Sequence, residues 1–320
     1  MITGAAGFIG SHLCERLLEQ GDRVVGYDNF DPYYEEELKE ANIREVLSNP
    51  GFKLVRGDIL DLSSVYRLFQ EFEPDKLVHL AAKAGVRPSL EDPAGYQRVN
   101  VEGLTNVLQA AHRIGVNQLV LASSSSVYGA NTKIPFNEDD PVNHPISPYA
   151  ASKRAGELIA AVYHHLYGMH IASLRFFTVY GPRQRPDMAI AKFCRRAMDG
   201  VPIEMYGDGA TQRDYTFIDD IIDGVVASLD RVGDFGFEII NLGNSQTVSL
   251  AYLIETIYKA LDISPNIIRR PMQPGDVEIT YADVSKAARL LGYHPHTSIE
   301  HGLAKYVEWL KGTPPGGRQR

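Results

Sequence analysis

Two observations in the sequence predict an α/β chain built on a doubly wound parallel sheet. Short β-branched strands alternate with amphipathic helical stretches through the first half, and a glycine-punctuated turn stands where the first strand meets the first helix. A third observation, the loss of that regularity after Phe177, predicts a smaller carboxy-terminal α/β unit. Parallel strands require crossovers, and right-handed crossovers place the helices on both faces of one sheet.

The elements follow in order. Only Met1 and Ile2 precede Thr3-Gly4, so the first strand is short or begins before Met1. In a doubly wound sheet that strand runs centrally, so shortening it lowers stability more than it alters chemistry. Helices are expected over residues 7–19, 62–72, 93–113 and 147–167, between strands at 23–28, 52–56, 76–80, 117–123 and 170–177. Beyond a Pro/Arg-rich turn come a helix at 189–198, an α/β crossing over 218–242 and helices at 250–261 and 298–310. Phe237-Glu238-Ile239-Ile240-Asn241-Leu242 reads as a strand returning to the main sheet. The expected division is therefore interleaved: residues 1–178 with about 215–245 form one domain, and about 179–214 with 246–312 the smaller one. The Pro/Gly-rich, basic stretch 313–320 is expected to trail as a loose tail.

Composition narrows the function classes. A chain of 320 residues with 44% hydrophobic content can bury a large core. Its net charge of -8 argues against nucleic acid or an anionic membrane as the main partner. Cys14 and Cys194 stand far apart with no Cys or His at ligand spacing, which predicts neither a disulfide framework nor a metal site. No apolar run spans a bilayer and no secretory pattern opens the chain, so a cytoplasmic location is expected.

Thr3-Gly4-Ala5-Ala6-Gly7-Phe8-Ile9-Gly10 sets glycines at 4, 7 and 10 between a strand and a helix. Glycine suits a tight turn, close backbone approach to a pyrophosphate, and close helix–sheet packing; the helix amino terminus then offers N–H groups and a favourable dipole. Asp28, ending the second strand, can hold both hydroxyls of an adenosine ribose and disfavours a 2′-phosphate, so NAD is expected over NADP. Asp58-Ile59 is placed for the adenine edge, although a turn or helix-cap acid would look the same. Leu80-Ala81-Ala82-Lys83 follows the fourth strand, beside the cofactor's middle. The sheet is thus expected to be Rossmann-type.

Tyr149-Ala150-Ala151-Ser152-Lys153 puts a phenol and an ammonium on one helical face. A free tyrosine ionises near pH ~10, too high for a base at neutral pH, and a neighbouring cation favours the phenolate. Upstream, Ser123-Ser124-Ser125-Ser126-Val127-Tyr128-Gly129 ends the fifth strand at the carboxyl edge, where ligands bind in such sheets.

On these motifs, with His79-Leu80-Ala81-Ala82, the helix holding Asn100 and Arg213-Asp214-Tyr215-Thr216-Phe217-Ile218-Asp219-Asp220, the chain resembles the extended short-chain dehydrogenases/reductases of the sugar-nucleotide epimerase and dehydratase branch. The resemblance runs from Thr3 to about Leu310. It implies a catalytic set of Tyr149, Lys153 and Ser124, with Ser125 and Ser126 facing a hexose. It implies NAD held by Gly4, Gly7, Phe8, Ile9, Gly10, Asp28, Asn29, Asp58, Ile59, Leu80, Ala81, Ala82, Lys83 and Asn100, together with Tyr149 and Lys153. A homodimer paired through helices 93–113 and 147–167 is implied as well.

The sugar is read from residues 176–189. Phe176-Phe177-Thr178-Val179-Tyr180-Gly181-Pro182-Arg183-Gln184-Arg185-Pro186-Asp187-Met188-Ala189 is similar to the same stretch of UDP-glucuronate 4-epimerases, though most relatives carry Asn where Thr178 stands. A hydroxyl at Thr178 and a guanidinium at Arg185 can bind a hexuronate carboxylate; an ion-pair role explains Arg185 too. Holding that carboxylate out of line with the carbonyl π system of a 4-keto sugar would keep a β-keto acid from losing CO2. Dehydratases and decarboxylases of this type carry an acid in the serine run, and the serines here favour plain epimerisation. Arg213 is expected at the diphosphate with Lys192 and Arg269 as helpers, Asp276 at the uridine ribose or as a helix cap, and Arg87 near the sugar entrance. The implied activity is NAD-dependent 4-epimerisation of UDP-glucuronate. UDP-glucose 4-epimerisation, decarboxylation or dehydration, and a non-enzymatic NAD-responsive binding role stay open at this point.

Overall fold

The computed structural model describes residues 1–271 and 277–312; Asp276 and the 313–320 tail lie outside them. Twelve strands run in chain order: β1 (Ile2–Thr3), β2 (Val24–Asp28), β3 (Phe52–Arg56), β4 (Leu77–His79), β5 (Gln118–Ser124), β6 (His170–Phe176), β7 (Thr178–Tyr180), β8 (Ile203–Tyr206), β9 (Gln212–Phe217), β10 (Phe237–Leu242), β11 (Thr247–Ser249) and β12 (Ile267–Arg270). Seven of them form one sheet in the order β10-β6-β5-β4-β1-β2-β3. Every pairing in it is parallel. The short β1 is central, flanked by β2 and β4, so its neighbours support both of its edges.

Both faces of this sheet are covered, which explains why its strands read as near-continuous apolar runs. Successive side chains alternate sides: Leu119 and Leu121 of β5 pack into one core layer, Val120 and Ala122 into the other. The helix Leu62–Phe72 shows how sequence sets one covering element. Asp61 caps it by accepting from Ser64 N at 3.1 Å, Val65, Leu68 and Phe69 form its buried stripe, and left-handed Glu73 ends it. Burying each such side chain stabilises the fold by about 1.5–3 kcal/mol.

Phe237–Leu242 does return to the main sheet, pairing with β6 over its whole length. Outside it lie a three-stranded sheet, β11-β9-β7, and the parallel pair β12-β8.

Several expectations need correcting. The helix read over 93–113 is three segments: Pro93–Gln97, a π-helical turn Arg98–Gly103, and Leu104–Ile114. The wide turn falls where Asn100 faces inward and where a Cβ on Gly103 would lie 2.5 Å from Ile59 Cδ1, so the backbone bends around packed side chains. Gly7 caps the first helix from outside rather than starting it, and β5 extends one residue further, to Ser124. Helices Glu36–Ile43, Val86–Glu91 and Ser285–Leu291 carry short or weakly periodic apolar patterns and were not anticipated.

Candidate active site

The glycine turn is built for close approach. Gly4 has φ 75°, and a Cβ there would lie 2.7 Å from the backbone N of Ala81; one on Gly10 would lie 2.1 Å from Gly4 O. No side chain caps the helix that begins at Phe8, since its N-cap is Gly7. Its amino-terminal N–H groups and dipole thus suit a phosphate group. Ile9 is half-buried behind the turn, and Phe8 packs edge-on against His12 with centroids 5.9 Å apart.

Asp28 braces the turn as well as facing it. Its Oδ2 accepts from Ala6 N at 3.0 Å and its Oδ1 from Phe30 N at 2.8 Å. Burial pushes its carboxyl up, and those amide bonds oppose the shift. Asn42, on the unanticipated helix Glu36–Ile43, donates to Ala6 O at 3.1 Å and holds the turn from its other side. Asn29 donates to Asp58 Oδ2 at 3.0 Å, while Asp58 Oδ1 accepts from Leu60 N at 2.8 Å. Asp58 is therefore a turn acid tied to the β2 end, with Ile59 buried beside it. These groups fit an NAD-type dinucleotide: two glycines without room for a Cβ, an uncapped helix start and an acid at the β2 terminus.

The loop after β4 is clamped to the helix that carries Tyr149 by Asn100. Its Oδ1 accepts from Lys83 N at 2.8 Å, and its Nδ2 donates to Lys83 O and to Ser152 Oγ, both at 2.9 Å. Leu80 N donates to Thr3 O at 3.1 Å, fixing the β4 end against β1. Ala81 and Ala82 line one recess with His79, Asn100 and Lys153. Lys83 Nζ meets Asp92 at 3.0 Å.

Tyr149 enters through a well-defined helix start. Ser147 caps Pro148–Tyr167 by accepting from Ala150 N at 3.1 Å, and Pro148 occupies the first turn, where its missing N–H matters least. The phenol is buried with the Ser124 side chain acting on it. Burial pushes the Tyr149 pKa up; the Ser124 hydroxyl and the Arg185 charge pull it back. Ser124 Oγ donates in turn to Ser126 Oγ at 3.1 Å, and Ser125 and Ser126 are half-buried on the 3-10 turn that follows β5.

Lys153 Nζ donates to Ala122 O at 2.8 Å. Burial lowers its pKa to about 8, opposed by Glu157 one turn along the helix. The sequence suggests Lys153 as the charge coupled to the phenol; among the described residues the charge acting on Tyr149 is Arg185.

Arg185 is bound by a carboxylate two residues on. Its Nε and Nη2 donate to Asp187 Oδ1 and Oδ2 at 2.9 and 2.6 Å, and the guanidinium lies 5.2 Å from the Tyr33 ring centre. Tyr33 Oη donates to Asp187 Oδ2 at 3.1 Å. Tyr96 packs edge-on against Tyr149 with centroids 6.1 Å apart and donates to Ala84 O at 3.1 Å. Tyr33 and Tyr96 are site neighbours that the sequence marks only by an aromatic pair, Tyr33-Tyr34, soon after Asp28-Asn29; Asp187 stands in the 176–189 stretch, where the ion-pair role open to Arg185 finds its partner.

The remaining predicted contacts are scattered. Thr178 opens β7, half-buried, two residues after the end of β6, whose last residue pairs with Ser124. Arg213 lies on β9 with its Nη1 donating to Gln212 O at 2.8 Å. Arg87 is exposed on the helix Val86–Glu91, Lys192 is exposed on Ala189–Met198, and Arg269 is exposed on β12.

The pattern of one family, described as GDP-mannose 4,6 dehydratase, matches residues 1–306. The chain belongs to this family of extended short-chain dehydrogenases/reductases. Within the family, it is 42% identical over 312 residues to the UDP-glucuronate 4-epimerase of Thermodesulfobacterium geofontis, covering 97% of this chain and 95% of that one. The crystal structure of the Bacillus cereus UDP-glucuronic acid 4-epimerase in complex with UDP-glucuronic acid and NAD superposes with a TM-score of 0.90 at 38% identity, covering 97% of this chain and 98% of that one. The Thermotoga maritima UDP-glucose 4-epimerase with UDP-glucose superposes with a TM-score of 0.89 at 30% identity, covering 98% of each chain. The family's seven-stranded parallel sheet and flanking helices are those described above.

Proposed function

We propose that this protein is an NAD-dependent UDP-glucuronate 4-epimerase. The observation that carries the reading is buried Tyr149 in the first turn of a helix packed against the end of β5 and the turn after it, where the serine run Ser124-Ser125-Ser126 holds no carboxylate base. The UDP-glucuronate 4-epimerases among its relatives support it. A UDP-glucose 4-epimerase remains the competing reading, favoured by the Thermotoga neighbour.

NAD, held by the glycine turn and Asp28, supplies reversible two-electron redox chemistry at the sugar C4, with no net oxidation over the cycle. Tyr149 Oη takes the proton of the 4-hydroxyl as that carbon becomes a carbonyl, and returns a proton when the hydroxyl is restored on the opposite face. Ser124, whose hydroxyl acts on the phenol and is bonded to Ser126, assists that transfer. Lys153, anchored on Ala122 O, would present a cation to the nicotinamide ribose of the bound cofactor. Thr178 and Arg185 hold the hexuronate carboxylate out of line with the 4-carbonyl. No deprotonation at carbon is required, in keeping with the absence of an acid among Ser124, Ser125 and Ser126.

The decisive experiment offers UDP-glucuronate and UDP-glucose in parallel and follows products by NMR. Conversion of the first to UDP-galacturonate, faster than any conversion of the second, is the expected result; preferential conversion of UDP-glucose overturns the reading. Substituting Thr178 and Arg185 together is expected to release UDP-pentose, and normal epimerisation without pentose would remove their role.

The UDP-sugar is the expected partner, and a second copy of this chain the other. Leu158, Val162 and Leu166 are 52%, 51% and 59% exposed at four-residue intervals along Pro148–Tyr167, an apolar stripe that a homodimer would cover. Light scattering should report a dimer that Val162→Lys weakens. Among the described residues no helix is long and apolar enough to cross a membrane, and no cluster of His, Cys, Asp or Glu could hold a metal ion.

A further inference from the structure

Arg185 carries an internal carboxylate. Asp187 occupies its Nε/Nη2 edge with two parallel bonds of 2.9 and 2.6 Å, the geometry in which a guanidinium grips a carboxylate most firmly. Three surroundings hold Asp187 there. It lies two residues along the same short turn, it accepts from Tyr33 Oη at 3.1 Å, and the Tyr33 ring supports the guanidinium 5.2 Å away. Tyr33 belongs to the segment that follows β2, so the clasp joins two distant parts of the chain over the site. The pair is not sealed: the Arg185 and Asp187 side chains are 18% and 31% exposed. Burial would raise the Asp187 carboxyl, but the Arg185 bonds outweigh it and hold the group below its ordinary range. Asp187 therefore stays charged at neutral pH and compensates Arg185.

That arrangement bears on a difficulty of the reaction. A 4-epimerase must present both faces of C4 to one redox partner, so the sugar must turn between the two half-reactions. A hexuronate carries its carboxylate on the carbon next to C4. An uncompensated guanidinium beside Tyr149 would grip this carboxylate bidentately and oppose the turn. We propose that Asp187 is a specificity-determining residue that limits the hold of Arg185 on the substrate carboxylate, keeping it loose enough for the 4-keto hexuronate to turn. The inference rests on the UDP-hexuronate reading, and it assigns Asp187 no part in proton transfer. An uncharged hexose makes no demand on the pair, so its turnover is indifferent to Asp187.

The test uses Asp187→Asn in the full-length protein, with UDP-glucuronate and UDP-glucose as the probes. Equilibrium binding is measured in a Tyr149→Phe background, where turnover is blocked, and KM and kcat with Tyr149 intact. Expected is tighter UDP-glucuronate binding by about tenfold, the worth of one charge-assisted hydrogen bond. KM and kcat should fall together for UDP-glucuronate, while both constants for UDP-glucose stay within about twofold, the scatter of a change at an uninvolved surface group. Tyr33→Phe, which removes the hydroxyl bond to Asp187 alone, should shift UDP-glucuronate the same way by less; it carries the test if Asp187→Asn does not fold. Unchanged or weaker UDP-glucuronate binding overturns the proposal, as does an equal change for both sugars, the signature of a merely structural pair. If the unsubstituted protein epimerises neither sugar, the function assigned above has failed, a result separate from these.

Discussion

Glu157–Arg175 and Asp187–Arg185 are the same chemical object placed in two environments. Each is a carboxylate gripped by Nε and Nη2 of one guanidinium, at 2.8 and 2.9 Å in the first and 2.9 and 2.6 Å in the second. Glu157 and Arg175 have side chains 0% and 1% exposed, under the sheet's carboxyl edge. Glu157 also accepts from Ser123 Oγ at 2.6 Å and Arg154 Nη1 at 2.9 Å, and Arg175 lies 4.8 Å from the Tyr128 ring centre. The sealed pair thereby pins β5, β6 and the helix Pro148–Tyr167 to one another, one residue from Ser124 and one helical turn from Lys153. The rim pair is partly open to water, which the exchange of partners proposed above requires. Environment, not pairing geometry, separates a fixture from a negotiable contact.

The largest expected effect breaks the sealed pair. Glu157→Ala leaves Arg175 charged, buried and unpaired, and it should destabilise the fold by about 3–5 kcal/mol. Denaturant unfolding followed at two wavelengths checks this; a loss under about 1 kcal/mol would show that water reaches Arg175 and that the two pairs are alike.

Acid should press on the same buried side. His79, fully enclosed against Thr3 Oγ1 at 2.8 Å, has its pKa lowered to about 3 by burial and then by the Lys153 charge. Its folded value lies below the unfolded one, so its contribution is present above pH ~6.5 and drains away as the pH falls toward the folded value. Between pH 7 and pH 5 the fold should lose about 2 kcal/mol from this group. Urea midpoints at the two pH values measure it. His12, with its pKa lowered to about 4 by burial and then by Arg183, adds in the same direction. A midpoint that does not fall would mean that His79 is already solvated in the folded chain.

A subtler change keeps the shape of the sealed pair and removes only its charge. Lys153 has a pKa lowered to about 8 by burial, with Glu157 acting against the shift, and its charge in turn lowers the His79 pKa. Glu157→Gln should lower it further, moving the alkaline limb of kcat/KM down by about one pH unit. A limb that stays in place would reduce Glu157 to packing.

The contrast between the pairs also marks what could be read without coordinates. Leu62–Phe72, Ala189–Met198 and Leu250–Leu261 follow from apolar period and end signals, because their burial is one-sided and local. The glycine turn and the Tyr149–Lys153 spacing are legible for a related reason: strand–turn–helix and helical geometry fix those positions over a few residues. Glu157 and Arg175 look in sequence like a surface helix acid and a strand arginine, since nothing local announces that Ser123 and Arg175 are ladder neighbours. Tyr33 reaches Asp187 across 154 positions. The π-helical turn at Arg98–Gly103 is invisible to a 3.6-residue period for the same reason, because it is imposed by the packing of Ile59 and the bonds of Asn100.

The smallest expected effect concerns the rim pair and decides whether the comparison holds. Asp187→Asn removes a carboxylate 31% exposed, paired with an arginine 18% exposed, so solvent screens most of the lost attraction. Stability should change by less than about 1 kcal/mol, and added salt should shrink the difference further. Denaturant midpoints of the two proteins at low and high salt provide the check. A loss of several kcal/mol, or one that salt leaves untouched, would place Asp187–Arg185 with the sealed pair. In that case the substrate carboxylate would meet an arginine that cannot be released, and the turning sugar would have to find its room elsewhere.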